Sequence, residues 1–416
     1  MTNVTDDDLL SPERTIDPYP FFEVMRESEP IHWSDRYGAW FIFRHADVWD
    51  ALRNPCFSSD RIMPVFEQKL TDEQREQRRP TFDILKNWMV FKDPPDHTRL
   101  RRLVGHAFTP RSVKAWRPRI EQVVNGLLLD LEAGPAETDL IANFAYPIPA
   151  VVIAEMMGVP AEDRDMFKRW SDDVLTLVFG AAGIPDRRIR AQEGLVELAD
   201  YLRQLIRRYG SAGGDNLISE LVQAKDDDDS LTEDEVVSTC VLLLFGGHET
   251  TTSLIGTGTR SLLMNPDALE QLRGDPGLLP SAIEELLRFD GPAKAEMRWV
   301  AQDVEMGGRT LASGSAAYLI GASANRDAAE FSEPGMLQLD RRPNRHLGFG
   351  FGLHICLGAA IARLEASIAI DAITRRFPNM QRTGEETWHP TLMSRGMKTC
   401  YIDLGTPSSA TNARDI

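Results

Sequence analysis

The stretch RHLGFGFGLHICLGAAIARLEA, residues 345–366, places one cysteine, Cys356, between a run rich in glycine and phenylalanine and a helix-like pattern. Its frame is Phe349-x-x-Gly352-x-x-x-Cys356-x-Gly358. A sulfur at a helix amino terminus lies in a positive field, which lowers the pKa of the thiol and favours the thiolate, the form that binds metal. The glycines allow the backbone to approach a flat, bulky group, and Phe349 would keep water off the sulfur.

Two interpretations of this loop are open at this point. A single thiolate without partner cysteines suits an axial haem ligand better than an iron–sulfur cluster, which is held by four thiolates. A redox-active or nucleophilic cysteine with a low pKa at a helix start is the alternative. The rest of the chain has to decide between them.

Composition narrows the classes of function. The 416 residues carry 46 Lys and Arg against 63 Asp and Glu, a net charge of −17, which disfavours partners such as nucleic acid or an anionic membrane. The four cysteines (Cys56, Cys240, Cys356 and Cys400) are far apart, so we expect neither a disulfide framework nor a zinc site. The acidic amino terminus has no apolar run, and the longest apolar stretch, CVLLLFGG, is too short to span a bilayer. We expect a cytoplasmic protein without signal peptide or membrane anchor.

Helical periodicity dominates the chain. Apolar residues recur at three- and four-residue spacing in SVKAWRPRIEQVVNGLLLDLEA, EDRDMFKRWSDDVLTLVF, RIRAQEGLVELADYLRQLIRRYG and PSAIEELLRF. Strand patterns are short, and they do not alternate with helices as a parallel α/β sheet requires. We therefore predict a mainly α fold, a single large helical domain over residues 21–405 with small peripheral β-sheets. A polar tail (1–20) precedes it, a flexible tail (406–416) follows it, and the acid run KDDDDS is predicted to be a solvated loop.

A long helix is predicted to begin after Thr232, because Thr232 and Glu235 have the spacing of a capping box. It continues through VVSTCVLLLFGGHETTTSLIGTGTRSLLM and is apolar nearly all round, so we expect it to cross the protein interior. Gly246 and Gly247 lie in its middle, and each costs about 1 kcal/mol relative to alanine. The glycine pair indicates that something needs the space.

An acid and a hydroxyl, Glu249 and Thr250, follow the glycine pair. A threonine within a helix usually bonds back to the carbonyl four residues earlier, here that of Gly246, and this bond can loosen the helix. A cleft with a hydroxyl and a proton source is what oxygen activation needs, whereas a glycine helix–helix contact with a capped polar residue is the alternative. His248 and Glu249 also begin an HExxH zinc motif, but Thr252 stands in place of the second histidine, which excludes a zinc protease.

Charged residues elsewhere are less specific. Glu285 and Arg288 in EELLRF are spaced to meet on one helix face, although such pairs are usually surface features that contribute little to stability. Isolated basic residues would suit two carboxylates, but each alone is more often a surface or capping residue. They are His97, Arg101, Arg298 and His346.

Together and in this order, these features resemble the cytochrome P-450 superfamily of haem-thiolate monooxygenases, of the soluble bacterial type. The resemblance rests on the haem loop, the GGHET helix, the ExxR pair and ANRDAAEF, and it covers nearly the whole chain. It implies heme b (iron protoporphyrin IX) as the cofactor and dioxygen as a co-substrate. Cys356 would be the proximal ligand and the only metal ligand, which answers why glycine and phenylalanine surround it.

The resemblance also implies roles for the remaining motif residues. Positions matching Glu249 and Thr250 relay protons to bound oxygen, and Gly246 leaves room for that oxygen; the peroxide-using fatty-acid branch lacks the acid–hydroxyl pair. Glu285 and Arg288 would be buried, with Arg341 as a third member. The residues that would contact the haem or its propionates are His97, Arg101, Arg298, His346, Phe349, Gly352 and Gly358.

The substrate pocket is expected where the family builds it, and its candidates here are mostly apolar. Lys294 and Glu296 could anchor a polar group, although solvent exposure is an equal alternative. The pocket candidates are Trp88, Met89, Val90, Val178, Phe179, Leu243, Ala293, Met297 and Met397.

The chain is expected to be a monomer that hydroxylates, epoxidises or dealkylates an apolar small molecule. Because it has no flavin or nicotinamide motif, electrons would come from a separate ferredoxin or flavodoxin and its NAD(P)H reductase. Basic residues expected on the proximal face would dock that partner: Arg99, Arg102, Arg345 and Arg363. The alternatives are a haem-thiolate enzyme of coupling or desaturation and a haem-based sensor.

Overall fold

The computed structural model of the chain describes residues 7–68, 70–175, 185–226 and 229–408. Its secondary structure confirms the mainly α fold. The first helices are α1 (Pro12–Ile16), α2 (Tyr19–Ser28), α3 (His45–Ala51), α4 (Met63–Gln68), α5 (Asp72–Leu85), α6 (Asp96–Gly105), α7 (Pro110–Ala115), α8 (Arg117–Ala133) and α9 (Pro147–Met156). The later helices are α10 (Arg164–Leu175), α11 (Pro185–Ala212), α12 (Leu217–Gln223), α13 (Glu233–Met264), α14 (Pro266–Gly274), α15 (Leu279–Asp290), α16 (Gly321–Ala324) and α17 (Ala359–Arg376).

The strands are short and lie in small sheets, as predicted. They are β1 (Ile31–Ser34), β2 (Ala39–Ile42), β3 (Phe57–Ser58), β4 (Glu137–Asp139), β5 (Lys225–Asp226), β6 (Asp229–Ser230), β7 (Glu296–Val300), β8 (Val304–Met306), β9 (Arg309–Leu311), β10 (Ala316–Leu319), β11 (Gln381–Arg382), β12 (Thr387–Trp388), β13 (Met397–Thr399) and β14 (Tyr401–Asp403). The largest sheet has the order β1-β2-β10-β7-β3. Within it β2 and β10 run parallel, and the other neighbours are antiparallel.

The long helix α13 begins where the capping box predicts. The Thr232 hydroxyl accepts the backbone N–H of Glu235 at 3.3 Å, and the Glu235 carboxylate accepts that of Thr232 at 2.8 Å. Most positions between Val236 and Leu262 are buried, and the helix packs against α9, α11, α15 and α17. It therefore crosses the interior, as its all-round apolar pattern indicates.

Two local predictions differ from the structure. The run SVKAWRPRIEQ forms two helices, α7 and α8, because Pro118 has no N–H for a continuous helix and is tolerated only in the first turn of a new one. The acid run at 225–230 is not a plain loop, since β5 pairs with β6 there. Asp229 of β6 accepts a hydrogen bond from Arg99 at 3.2 Å, which ties the run to α6.

The amino-terminal segment set aside as a tail packs on the domain. Leu9 is buried, and α2 crosses the expected boundary at residue 20. The Tyr19 hydroxyl donates to the Asp290 carboxylate at 2.7 Å, and Arg395 donates to the carbonyls of Thr15 and Ile16. The packed structure therefore begins before residue 20. Residues 409–416 of the expected carboxy-terminal tail lie outside the described residues.

Two apolar clusters share α13, one along each half of the helix. Leu254 and Leu262 join the cluster with α8, α15 and α17, whereas Val237 and Leu244 join the cluster with α10, α11 and α12. Across the described ranges, we find no helix with the length and hydropathy needed to cross a membrane. The middle of α13, between the two clusters, is where the predicted site lies.

Candidate active site

The loop before Cys356 is shaped by its own backbone. The Cys356 N–H donates to the Phe349 carbonyl at 2.9 Å, and the Gly350 N–H donates to the Leu347 carbonyl at 2.9 Å. Gly350 and Gly352 have φ of +68° and +74°, a region that side chains disfavour. The glycines are thus needed for the turn that carries the cysteine to the start of α17.

Cys356 lies two residues before the cap of α17, and its side chain opens onto a cavity. Burial raises the pKa of the Cys356 thiol, while the Gly358 N–H, Arg101 and Arg363 act in the opposite direction without outweighing it. For the protein alone, this direction is opposite to the lowered pKa expected at a helix start, because desolvation outweighs those three groups. Coordination to a metal ion deprotonates a thiol outright, so metal binding itself would supply the thiolate.

The cavity measures about 310 Å³ and lies between two walls. Cys356, Phe349 and Gly358 belong to the first wall, and α13 forms the second. Gly352 was predicted to contact a cofactor, but the structure places it elsewhere: a Cβ at Gly352 would meet the Leu52 carbonyl at 3.2 Å. Its role is in the loop turn rather than in the cavity lining.

The α13 wall presents the glycine pair and the threonine to the cavity. Gly246, Gly247 and Thr250 all line it, and the Thr250 hydroxyl donates to the Gly246 carbonyl at 2.6 Å. A Cβ at Gly246 would meet no protein atom within 4 Å. The space beside Gly246 is thus not a helix–helix contact, which removes the alternative reading of this glycine.

Glu249 lies on another side of α13. Its carboxylate is near the chain at Gly396, where an added Cβ would come within 3.1 Å of Oε1. The cavity lining includes Thr250 and Thr251 but not Glu249. A proton passing from Glu249 to the cavity would therefore need Thr250 or water between them.

Basic side chains gather at one edge of the cavity. His97 and His354 lie with ring centroids 4.0 Å apart, and both line the cavity with Arg101. Burial, followed by the charges of His97, Arg298, Arg101 and Arg61, lowers the pKa of His354 to about 3. Arg298 pairs with Glu296 at 2.7 Å, and Glu296 also lines the cavity.

The structure corrects the prediction for His346. Its Nε2 lies 3.0 Å from the Glu284 carboxylate, which Arg363 also binds at 2.6 Å. Burial alone would raise the pKa of Glu284, but hydrogen bonds from Arg363 and His346 outweigh it and lower the value to about 2. His346 thus ties the loop to the α15 carboxylate that also binds Arg363 of α17, and the histidine at the cavity edge is His354.

The basic cluster fits a group with two carboxylates. Neither ring nitrogen of His97, which is 2% exposed, has a hydrogen-bond partner among the residues described. Arg61 adds a half-buried cation, and desolvation, followed by the charge of Arg298, lowers its pKa to about 10. Basic side chains at one edge, among them the unpartnered His97, and a single sulfur on one wall match the two propionates and the axial ligand of haem. The residues present therefore fit haem.

The Glu285–Arg288 pair is buried rather than a surface feature. Both side chains are 0% exposed, and the guanidinium binds both carboxylate oxygens at 2.7 Å. Arg341 Nε lies 3.1 Å from each of the same oxygens, so Arg341 is the third member, while neighbouring Arg342 is exposed. The two arginines also donate to carbonyls between Asn325 and Met336, which connects α15 to the chain leading into the cysteine loop.

The substrate-pocket candidates divide into three groups. Met89, Val90, Leu243 and Ala293 line the cavity. Trp88 is fully buried against Phe91 and Phe245, whereas Met297 and Met397 are absent from the lining. Val178 and Phe179 lie outside the described residues. Lys294 is 6% exposed, so it is not a surface residue.

The predicted basic patch is partly neutralised. Each of its arginines has an acidic partner: Arg99 binds Asp229 and Glu235, Arg102 lies 3.9 Å from Asp229, Arg345 lies 3.9 Å from Glu330, and Arg363 binds Glu284. Two apolar side chains flank the cysteine instead, Leu353 and Ile355, which are 59% and 45% exposed. Positive charge alone therefore does not distinguish the protein surface around Cys356.

Sequence reasoning missed three residues of the site: Arg61, His354 and Glu365. His354 lies in the quoted stretch, two positions before Cys356, and that short spacing was the available signal. Arg61 is distant in sequence from the recognised motifs, and Glu365 lies on the helix that follows the cysteine loop. Only the fold brings both of them near the cavity.

Comparison with known proteins decides the family. A cytochrome P-450 family model matches residues 58–275 and 277–394, which is most of the chain. This chain belongs to the cytochrome P-450 family. The P-450 is 40% identical over 390 residues to cytochrome P-450 CYP107DY1 of Priestia megaterium, covering 92% of this chain and 94% of that one.

Two further relatives extend the comparison. The P-450 is 36% identical over 417 residues to the vitamin D(3) 25-hydroxylase of Pseudonocardia autotrophica, covering 98% of this chain and 99% of that one. The crystal structure of CYP109E1 from Bacillus megaterium in complex with corticosterone matches with a TM-score of 0.84 and 33% identity, covering 95% of this chain and all of the other (100%). The protein is accordingly an enzyme of the bacterial P-450 monooxygenase family, which uses haem and oxygen.

Proposed function

We propose that this P-450 holds heme b through Cys356 and inserts one oxygen atom from dioxygen into an apolar small molecule. The observation that carries the proposal is the arrangement of one cavity, with Cys356 on one wall and the Gly246–Thr250 turn on the other. Haem bound by a thiolate supplies the oxygen-activating chemistry. Hydroxylation, epoxidation and dealkylation all fit this site.

The propionate ligands proposed here are His97, Arg101, Arg298 and His354. His97 and Arg101 come from α6, His354 from the cysteine loop, and Arg298 from β7. Hydrogen-bond donors from three separate segments, two of them arginines, would hold the porphyrin edge against rotation, because each segment reaches it from a different direction. Phe349 would shield the Cys356 side once haem is bound, and the Arg363 guanidinium lies over that ring at 4.4 Å from its centroid.

Proton delivery is proposed to pass from Glu249 through Thr250. Thr250 Oγ1 donates its proton to the Gly246 carbonyl at 2.6 Å in this structure. For the relay, the hydroxyl would turn that proton to an acceptor in the cavity and would be reprotonated by water on its other side. Gly246 leaves the space into which that acceptor fits. A haem-based sensor would need neither group in this place.

An apolar substrate is supported by the lining and by the relatives. Met89, Val90, Leu243 and Ala293 expose only carbon or sulfur side chains to the cavity. One relative is named a vitamin D(3) hydroxylase and one solved structure holds corticosterone, both apolar polycyclic compounds. A coupling or desaturation reaction remains the second candidate for the same site.

Cys356→His tests the haem assignment. In the wild type, the carbon monoxide complex of the reduced protein should show the strongly red-shifted Soret band of thiolate ligation. The variant should lose that band and keep part of its haem, whereas Cys56→Ser, a half-buried cysteine away from the cavity, should behave as wild type. A normal band in Cys356→His would refute the assignment.

Electrons are proposed to arrive from a ferredoxin or flavodoxin at the face around Leu353 and Ile355. Because the arginines there are paired with acids, charge should steer the partner only moderately and apolar contact should hold it. Arg102→Glu should slow reduction at low salt and have no effect at high salt, whereas Leu353→Ser should slow it at both. Stopped-flow reduction measures this, with substrate affinity as the control; indifference of the rate to both changes would place docking elsewhere.

A further inference from the structure

The second phenylalanine of the cysteine loop has no part in the function proposed above. Phe351 lies between Gly350 and Gly352, and it is absent from the cavity lining. Its ring stacks on Trp49 of α3, with the ring centroids 3.6 Å apart and an angle of 25° between the ring planes. Both side chains are half-buried. This aromatic pair therefore joins α3 to the loop outside the cavity.

Hydrogen bonds do not fix this part of the loop to the rest of the protein. Among the described residues, every hydrogen bond of residues 349–355 closes within residues 347–356. Gly350 and Gly352, with their left-handed φ values, also have the most conformational freedom to lose on folding. The position of the segment accordingly depends on how its side chains pack.

Helix α3 supports the loop at successive points along one face. His45 Nε2 lies 3.0 Å from the Arg345 carbonyl, and Trp49, one turn later, stacks on Phe351. Residues four apart share a face of a helix. The start of α3 is itself fixed, because the His45 N–H donates to the buried Asp327 carboxylate at 2.9 Å. Trp49 is thus the contact of a firmly held helix with the middle of the loop.

The stacked phenylalanine is closely coupled to the cysteine. One short 3₁₀ turn, Gly352–His354, occupies most of the chain between Phe351 and Cys356, and the Cys356 N–H returns to the Phe349 carbonyl at 2.9 Å. The turn lies directly against α3, since a Cβ at its first residue would be 3.2 Å from the Leu52 carbonyl. A displacement of the Phe351 ring would therefore move the backbone that carries the sulfur.

We propose that Trp49 is a positioning residue, which holds the Cys356 sulfur in place at the cavity wall by stacking on Phe351. The role rests on the proposed function, because it concerns Cys356 as the axial ligand of haem. Neither aromatic residue lines the cavity, so neither is a catalytic residue. Loss of the stack would let the loop move and would admit water to the sulfur. Solvent and hydrogen bonds at a ligating sulfur weaken its electron donation and raise the reduction potential of the iron.

A second tryptophan provides the matched control for a role in packing alone. Trp40 of β2 packs against the same apolar cluster as Trp49 and is also half-buried, but its ring contacts Trp33, with centroids 5.2 Å apart. Trp40→Leu and Trp49→Leu should both lower the free energy of unfolding, and only Trp49→Leu should alter the sulfur. Trp49→Phe keeps an aromatic face on Phe351 and should largely restore the wild-type behaviour.

The carbon monoxide complex of the reduced, haem-loaded protein reports on the sulfur without turnover. In mild urea, Trp49→Leu should lose the red-shifted Soret band of thiolate ligation about two- to tenfold faster than the wild type, the range expected for one aromatic pair. Its midpoint reduction potential should also be higher. Phe351→Leu should have the same effects, and the double variant should add little to either single one, because both changes remove one contact. Trp40→Leu should match the wild type in both measurements.

Two results would overturn the positioning role alone. One is a wild-type band whose loss rate and potential are unchanged in Trp49→Leu, which would show that the stack only packs. The other is full additivity of Trp49→Leu and Phe351→Leu, since Trp49 would then not act through Phe351. If Trp49→Leu takes up no haem, Trp49→Phe and Phe351→Leu make the same comparison. If the wild type shows no red-shifted band, the proposed function has failed and the positioning role fails with it.

Discussion

The two halves of α13 contain the same kinds of residue and use them differently. In the second half, a Cβ at Gly256 would lie 2.5 Å from Ile141, and one at Gly258 would lie 3.0 Å from Ile370. In the middle of the helix, a Cβ at Gly246 would meet no protein atom within 4 Å. The later glycines let helices approach, whereas Gly246 leaves room for something that is not protein.

The threonines of the two halves differ in the same way. The Thr257 hydroxyl is buried and donates within reach of two carbonyls, those of Ser253 at 2.7 Å and Asp290 at 2.8 Å. The Thr250 hydroxyl bonds one carbonyl, that of Gly246, and borders the cavity. The cavity threonine and the packing threonine are thus two turns apart on one helix. Substitution of Thr250 should affect catalysis, whereas substitution of Thr257 should affect only stability.

The largest expected effect is on the free energy of unfolding, and it comes from the buried network on α15, which packs against α13. Glu285→Gln removes the charge that two buried arginines share, and breaking a buried ionic network of this kind costs about 3–5 kcal/mol of unfolding free energy. Glu284→Gln, one residue earlier and partly exposed, should lose clearly less. Urea unfolding of both variants measures this, and equal small losses would contradict a structural role for the network.

A matched pair of valines sharpens the glycine comparison. Gly256→Val should lower the free energy of unfolding by about 1–3 kcal/mol, because its side chain overpacks against Ile141. Gly246→Val should leave the fold stable and should reduce haem or carbon monoxide binding, since its side chain enters the cavity. Thermal unfolding and haem titration separate the two results. A stability loss in Gly246→Val as large as in Gly256→Val would remove the distinction.

The smallest expected effect on stability is that of the two threonine substitutions, which should differ in coupling. Thr250→Ala and Thr257→Ala should each cost about 1 kcal/mol, the value of a typical hydrogen bond. Only Thr250→Ala should also release more hydrogen peroxide and form less product per NAD(P)H, because cavity protons are no longer delivered in time. Product and peroxide are measured with a surrogate reductase; unchanged coupling in Thr250→Ala would mean that protons take another route.

Residues that act through local spacing were predictable, and those that depend on side-chain direction were not. The capping box of Thr232 and the Glu285–Arg288 pair follow from helical geometry alone. The choice between His346 and His354 depends on how the loop with two left-handed glycines turns, and no local spacing encodes that turn. For this reason the sequence pointed to the right segment and to the wrong histidine.

Global packing decided the remaining differences. Cys356 was expected to have a lowered pKa from its place at a helix start, but desolvation raises the pKa by more than the Gly358 N–H and two arginines lower it. Glu365 belongs to an ordinary amphipathic pattern on α17, and its isolation from cations is visible only when α13 is packed against it. Desolvation is a property of the whole fold, so a single sequence reveals it poorly.

The network of Glu285, Arg288 and Arg341 has a consequence for how this protein can change. It fixes α15 to the segment before the cysteine loop without contributing a side chain to the cavity. The exposed Val90 and the half-buried Leu243 of the lining can therefore be varied without touching this network, whereas Met89 also belongs to an apolar core cluster. That separation makes the lining a suitable target for laboratory evolution, in which new specificities are selected while the network is left unchanged.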